Sequence, residues 1–302
     1  MDDATRREID KVCWKTLKDA GVVRPPVRIE KVLDFLKLNR EFYDLQDPSF
    51  LDRAKHKIEV QGQKLINVLS KIKLIAVLFY DEDRIIVSSG LSNIQRDFPS
   101  FHESTHQVLE WHRPFFHGDT AQTLDPDYHE ALEAEANYGA GAFMFCGPVF
   151  TTEALDTTPD WDSVAGLKER YDKSFATTLR RYVEHSHDRP MAMLVSTAPW
   201  LEKPAEQPER WRHFVPSGKM ASQFSAITAS DLLGAVDANI ARHGGGLIAD
   251  FTYCLDDDNG VSHEFRAESF FNQYYVLTLF VELRRMATSR IVVAGGSTEA
   301  EL

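Results

Sequence analysis

The chain has 302 residues, 43% of them hydrophobic and 26% charged, a length worth about two domains and a composition that excludes both disorder and a disulfide-stapled miniprotein. Acidic residues outnumber basic ones 46 to 34, and the net charge of −12 argues against direct nucleic-acid binding or attachment to an anionic membrane by the surface as a whole. Three cysteines (Cys13, Cys146 and Cys254) lack metal-type pairing, and no apolar run reaches the length of a membrane span or a signal peptide, so the expected setting is a cytoplasm with reduced, buried thiols.

Ile9, Val12, Cys13, Trp14 and Leu17 recur at helical spacing between Asp3 and Ala20, and Gly21 closes the run. A short helix is expected over Ile29–Leu38, and a longer amphipathic one through Leu51, Ala54, Ile58, Leu65, Leu69 and Ile72. Leu74–Tyr80 and Arg84–Ser88 are strand-like runs joined by Asp81-Glu82-Asp83, the pattern of a hairpin. Helices follow over Asp97–Trp111 and Tyr128–Phe145, separated by a loop with Pro114, Gly118 and Pro126, and two more lie between Trp161 and His185.

Met191–Ser196 is apolar, and a Pro-rich stretch (Pro199, Pro204, Pro208, Pro216) reads as the connection into a distinct C-terminal region. There a helix is expected around Leu232–Ile240, a hairpin around Asn259-Gly260, and over Phe270–Met286 either a buried helix or a strand followed by a helix. The expected domains are residues 1–155, a helical connecting segment 156–195, and an α+β region 196–302 that senses or docks.

His102-Glu103-Ser104-Thr105-His106 is an HExxH sequence, which this composition produces by chance about 0.03 times per chain. On a helix its two histidines lie one turn apart on one face and can reach one Zn²⁺, with Glu103 beside the open position as general base. Two residues compete for the third ligand. His112 stands where the HExxHxxGxxH pattern places its last histidine, but position 109 is Leu rather than Gly, and a continuing helix would turn His112 away. Glu133 shares a helix face with Asn137, so Glu133 can bind the metal while Asn137 hydrogen-bonds a ligand from behind. Glu130 and Glu135 read as solvated. Tyr128, His129, His117 and Tyr138 are unranked candidates for an oxyanion donor. The histidines His185, His187 and His213 read as solvated, Asp256-Asp257-Asp258-Asn259-Gly260 as a turn rather than a calcium loop, and Arg180, Arg181, Arg189, Arg210 and Arg212 as a solvated basic face.

These features together resemble the ImmA/IrrE family of zinc metallopeptidases: Pro25-Pro26-Val27 before a short helix, Arg84-Ile85-Ile86-Val87 as a hairpin strand, Arg96-Asp97-Phe98-Pro99-Ser100-Phe101 leading into the HExxH, and Glu133-Ala134-Glu135-Ala136-Asn137-Tyr138-Gly139-Ala140 as the second motif block. The family usually carries Gly in place of Thr105 and Leu-Leu-Met-Pro where this chain has Phe143–Pro148. The resemblance covers about residues 5–150 and more loosely Ser174–Ser196. It implies an α+β fold with a mostly helical zincin-like domain and a small β-hairpin or sheet, one Zn²⁺ on His102, His106 and Glu133, and cleavage of a protein substrate, a helix-turn-helix transcriptional repressor, in a stress-response or mobile-element switch. The competing expectation is a catalytically silent metal-binding regulator that binds a partner protein or small ligand. The oligomeric state stays open.

Overall fold

In the computed structural model, residues 1–43, 76–79, 83–91, 93–113, 126–185, 187–202, 209–241 and 244–286 are described. The expected amphipathic helix over 51–72 and the loop over 114–125 lie outside them. The chain is mixed α and β and forms two compact units, residues 1–158 with 163–181, and residues 159–162 with 182–302. No helix among the described residues is long and apolar enough to cross a membrane.

The first unit starts with α1 (Asp3–Asp19), whose Asp2 cap accepts from the Thr5 N–H at 2.7 Å and whose buried stripe is Ile9, Cys13, Thr16 and Leu17. Its end is closed by Gly21 at φ 73°, with Val22 N–H bonded to Leu17 O and Gly21 N–H to Lys18 O, the paired bonds of a left-handed cap. Helix α2 (Ile29–Leu36) stops in the same way but without glycine: Lys37 takes φ 58°, and Leu38 N–H returns to Leu33 O. The chain therefore leaves α2 two residues earlier than expected and enters a strand that the sequence reading did not contain, β1 (Asn39–Tyr43).

Strands β2 (Ala76–Phe79) and β3 (Arg84–Ser88) form the expected antiparallel pair, while β1 runs parallel to β3, giving a three-stranded sheet of order β1-β3-β2. Ile85, Ile86 and Val87 are buried. Helix α3 (Asn93–Val108) begins four residues before the expected Asp97 and runs through Pro99, which costs one backbone hydrogen bond but keeps a helical φ. After it come a 3₁₀ turn (Glu110–His112), α4 (Pro126–Met144), α5 (Pro148–Leu155), α6 (Trp161–Tyr171) and α7 (Phe175–His185). Helices α1, α3 and α4 meet at Gly139, where a β-carbon would stand 2.3 Å from Thr105 Cγ2 and 3.3 Å from Ile9 Cγ2. Only glycine lets the helices approach so closely.

The second unit is an antiparallel five-stranded sheet of order β5-β4-β8-β7-β6, with β4 (Met191–Ser196), β5 (Trp211–Pro216), β6 (Gly246–Asp256), β7 (Ser262–Phe271) and β8 (Val276–Arg285). Short helices α8 (Gly218–Gln223) and α9 (Ala229–Asn239) close one face over a core that includes Leu194, Leu232, Val236, Phe265 and Phe280. The Pro-rich stretch thus joins two neighbouring strands of one sheet, and residues 156–195 are divided between the two units.

The helix allowed for after Phe270 is replaced by a hairpin: Asn272 Oδ1 accepts from the N–H groups of Tyr274 and Tyr275, Gln273 takes φ 75°, and β8 returns. Two further expectations are corrected. Cys254 is exposed while Cys13 and Cys146 are buried, because β6 alternates inward and outward residues. Arg181 is buried with its guanidinium over the Tyr138 ring at 5.6 Å, not part of a solvated face.

Candidate metal centre

Helix α3 holds His102 and His106 one turn apart, and α4 brings Glu133 across from them. The three ligating atoms lie within 4.8 Å of one another, forming a group that could hold a metal ion. Their edges are short and nearly equal: His102 Nε2 to His106 Nε2 is 3.2 Å, His102 Nε2 to Glu133 Oε2 is 3.2 Å, and His106 Nε2 to Glu133 Oε1 is 3.5 Å. Tetrahedral ligands about 2.1 Å from a divalent cation stand roughly 3.4 Å apart, so the trio has the dimensions of one face of such a site.

The donor chemistry agrees. Asn137 Oδ1 lies 3.1 Å from His102 Nδ1 and can only accept, so His102 carries its proton on Nδ1 and turns the Nε2 lone pair toward Glu133. Three acceptors then face one point, an arrangement that only a proton or a metal cation can reconcile.

The electrostatics show the same pull. Burial alone would raise Glu133, but the two imidazoles of His102 and His106 facing it, which bond and attract it when a proton sits on their Nε2 atoms, hold its carboxyl well below the usual range. Burial opposes a charge on His102, yet Glu133, Glu103 and Asn137 together raise its pKa. Burial pushes His106 down to about 4, so it stays neutral, as a ligand must. Glu103, next to His102 on α3, is pushed up to about 7 by burial and by the charge of Glu133, against the opposing pull of His102 and the backbone N–H of Leu78 on β2. A carboxyl poised near neutrality beside a cation-demanding trio is equipped to exchange protons.

His112 does not join the trio, and it does not turn away either. Leu109 takes φ −81° and ψ 100°, an extended conformation open to any residue, so α3 ends without the glycine of the longer motif. The 3₁₀ turn then swings His112 inward to full burial, its Nδ1 2.8 Å from Nδ1 of His106. On its other side His112 Nε2 lies 3.0 Å from Glu135 Oε2, which also accepts from Trp111 Nε1–H at 2.7 Å. Glu135, expected to be solvated, is thus held inside by two donors. The sequence signal that could have found this layer is the pairing of a buried-type Trp-His dipeptide after α3 with a second acid two residues past Glu133.

Tyr138 serves elsewhere, its hydroxyl donating to Asp10 Oδ2 at 2.8 Å. His117 and the side chains of Tyr128 and His129 lie outside the described residues.

Fold and site define an α+β protein with a candidate two-histidine, one-carboxylate metal centre. No family model and no curated protein matches the chain. A solved structure of a "Mycobacterium tuberculosis transcriptional regulator" is similar in fold, with a TM-score of 0.51 over 91% of this chain and 88% of that chain at 12% identity. At that identity the likeness is one of fold alone.

Proposed function

We propose that the chain is a zinc-dependent endopeptidase of the ImmA/IrrE type, with a zincin-like first unit that holds one Zn²⁺ on His102, His106 and Glu133. The observation that carries this reading is the convergence of those three lone-pair donors at 3.2, 3.2 and 3.5 Å with Glu103 adjacent on the same helix. Zinc, when bound, supplies a Lewis acid that polarises a peptide carbonyl and acidifies water toward about pH 7.

The protein's residues supply the rest. Glu103 takes the proton of the attacking water on its carboxylate and later delivers it to the leaving amine. The resemblance makes a helix-turn-helix repressor the substrate to test first. A second reading is a metal-dependent regulator that does not cut. It is favoured by the structural neighbour, a protein named as a transcriptional regulator whose likeness extends over 91% of the chain.

The deciding experiment measures zinc by elemental mass spectrometry, together with cleavage of a helix-turn-helix protein encoded beside the gene, for the wild type, Glu103→Gln and Glu133→Ala. The peptidase reading expects stoichiometric zinc in the wild type and Glu103→Gln, zinc lost in Glu133→Ala, and cleavage by the wild type only. Zinc without any cleavage supports the regulator. Absence of zinc from the wild type after addition refutes both.

A further inference from the structure

The pair His112 and Glu135 is not needed to complete the ligand set, yet His112 is engaged through both of its ring nitrogens. His112 is fully buried and His106 is 2% exposed, so solvent does not compete for their ring nitrogens. The proton positions follow from the partners. Glu135 Oε2 receives the indole N–H of Trp111 at 2.7 Å and faces His112 Nε2 at 3.0 Å. A carboxylate has no proton to give, so the hydrogen sits on His112 Nε2. A neutral His112 then has a lone pair on Nδ1, and His106 Nδ1, 2.8 Å away, must supply the hydrogen between them. His106 is left with its lone pair on Nε2, the atom that meets Glu133 and His102.

We propose that Glu135, through His112, locks His106 in the tautomer and ring orientation that a metal requires, making Glu135 and His112 positioning residues of the metal centre, with Trp111 fixing the carboxylate. The inference rests on the zinc reading given above and extends it: the metal is held by a three-membered chain, carboxylate to imidazole to imidazole, in place of the usual direct carboxylate–histidine contact. Asn137 performs the same service for His102 in a single step.

The test uses the full-length, zinc-loaded protein with His112 intact, because truncating a fully buried ring can unfold the unit. Zinc affinity is measured by competition with a chromophoric chelator for the wild type, Glu135→Ala, Glu135→Gln and the exposed control Glu130→Ala. Histidine tautomers are read from long-range ¹H–¹⁵N correlation spectra of the zinc-free protein, in which no metal dictates them. The expected result is zinc binding about 10- to 100-fold weaker in Glu135→Ala, a smaller loss in Glu135→Gln, whose amide oxygen can still accept both bonds, and none in Glu130→Ala. In the wild type His112 is the Nε2–H tautomer and His106 the Nδ1–H tautomer, and Glu135→Ala loses that His112 signature. Zinc affinity in Glu135→Ala within twofold of wild type overturns the proposal while leaving the zinc reading intact. Weaker binding with an unchanged His112 tautomer also overturns it, because the effect would then be one of packing. A wild type that binds no zinc overturns the zinc reading and this proposal with it.

Discussion

The contact of α3 with α4 at Gly139 sets the distance between the histidine pair and Glu133, so Gly139→Ala is the perturbation from which most follows. Alanine is the better helix former by about 1 kcal/mol, and on propensity alone the variant would gain stability. The geometry opposes this: the new β-carbon would lie 2.3 Å from Thr105 Cγ2, 3.0 Å from Thr105 Oγ1 and 3.3 Å from Ile9 Cγ2. Thr105 is fully buried and its hydroxyl donates to Phe101 O at 2.8 Å, so rotating it away loses a bond worth about 1 kcal/mol. Overpacking of this kind costs about 1–3 kcal/mol. Adding the lost bond and subtracting the propensity gain leaves a net destabilisation of about 1–3 kcal/mol.

The assay is chemical denaturation of the single variant, of Thr105→Ser and of the double variant, with zinc affinity measured alongside. Thr105→Ser removes the Cγ2 methyl responsible for the closest approach, so the double variant is expected to recover a large part of the loss, with a coupling of at least about 1 kcal/mol. Zinc affinity falls with Gly139→Ala and returns with the double variant. A Gly139→Ala protein as stable as the wild type, or losses that simply add, refutes the reasoning.

Tyr138→Phe removes the hydroxyl that donates to Asp10 Oδ2, and Asp10 Oδ1 is already buried without a hydrogen-bond partner among the described residues, so a loss of about 1–3 kcal/mol is expected in denaturant titrations. Phe280→Ala empties a fully buried site in the sheet core and is expected to cost about 3–5 kcal/mol, read from the unfolding of the second unit. Thr228 caps α9 reciprocally with Asp231, so Thr228→Ala is expected to cost about 1 kcal/mol near neutral pH. Hydrogen bonds from the Thr228 side chain and backbone hold Asp231 below its ordinary value of 3.8. Its contribution is therefore complete above that pH and fades as acid protonates it below, and the stability difference between the wild type and Thr228→Ala should narrow there to what the bond from the Asp231 N–H to Thr228 Oγ1 contributes.

Helical periodicity made part of the site readable in advance. His102 with His106, and Glu133 with Asn137, are each four apart, and that spacing alone puts each pair on one face. What joins the pairs is long-range packing, and it shows where Thr105 on α3 faces Gly139 on α4 across the helix contact.

Elements that escaped the sequence reading did so where ordinary residues take unusual backbone. Lys37 in a left-handed conformation ends α2 and releases β1, and extended Leu109 ends α3 and turns His112 inward. Neither position carries the glycine that normally announces such a break. Strand β8 was ambiguous for a different reason. Val276–Val281 is buried at every position, and a continuous apolar run has no period to distinguish strand from helix.

The path of the chain between the two units bears on how the protein can be taken apart. The boundary is crossed three times, after Thr158, Asp162 and Arg181, so no single cut yields both units whole. A fragment ending at Arg181 would carry Trp161 without the Glu268 carboxylate that accepts its backbone N–H at 3.0 Å and without the Phe270 ring stacked on it at 5.0 Å. A fragment starting at Tyr182 would leave Glu268, 5% exposed, without that amide donor. On the ribosome the four residues 159–162 are made early but cannot find their partners until β7 emerges about a hundred residues later, so the second unit reaches its final form only after β7 has been made.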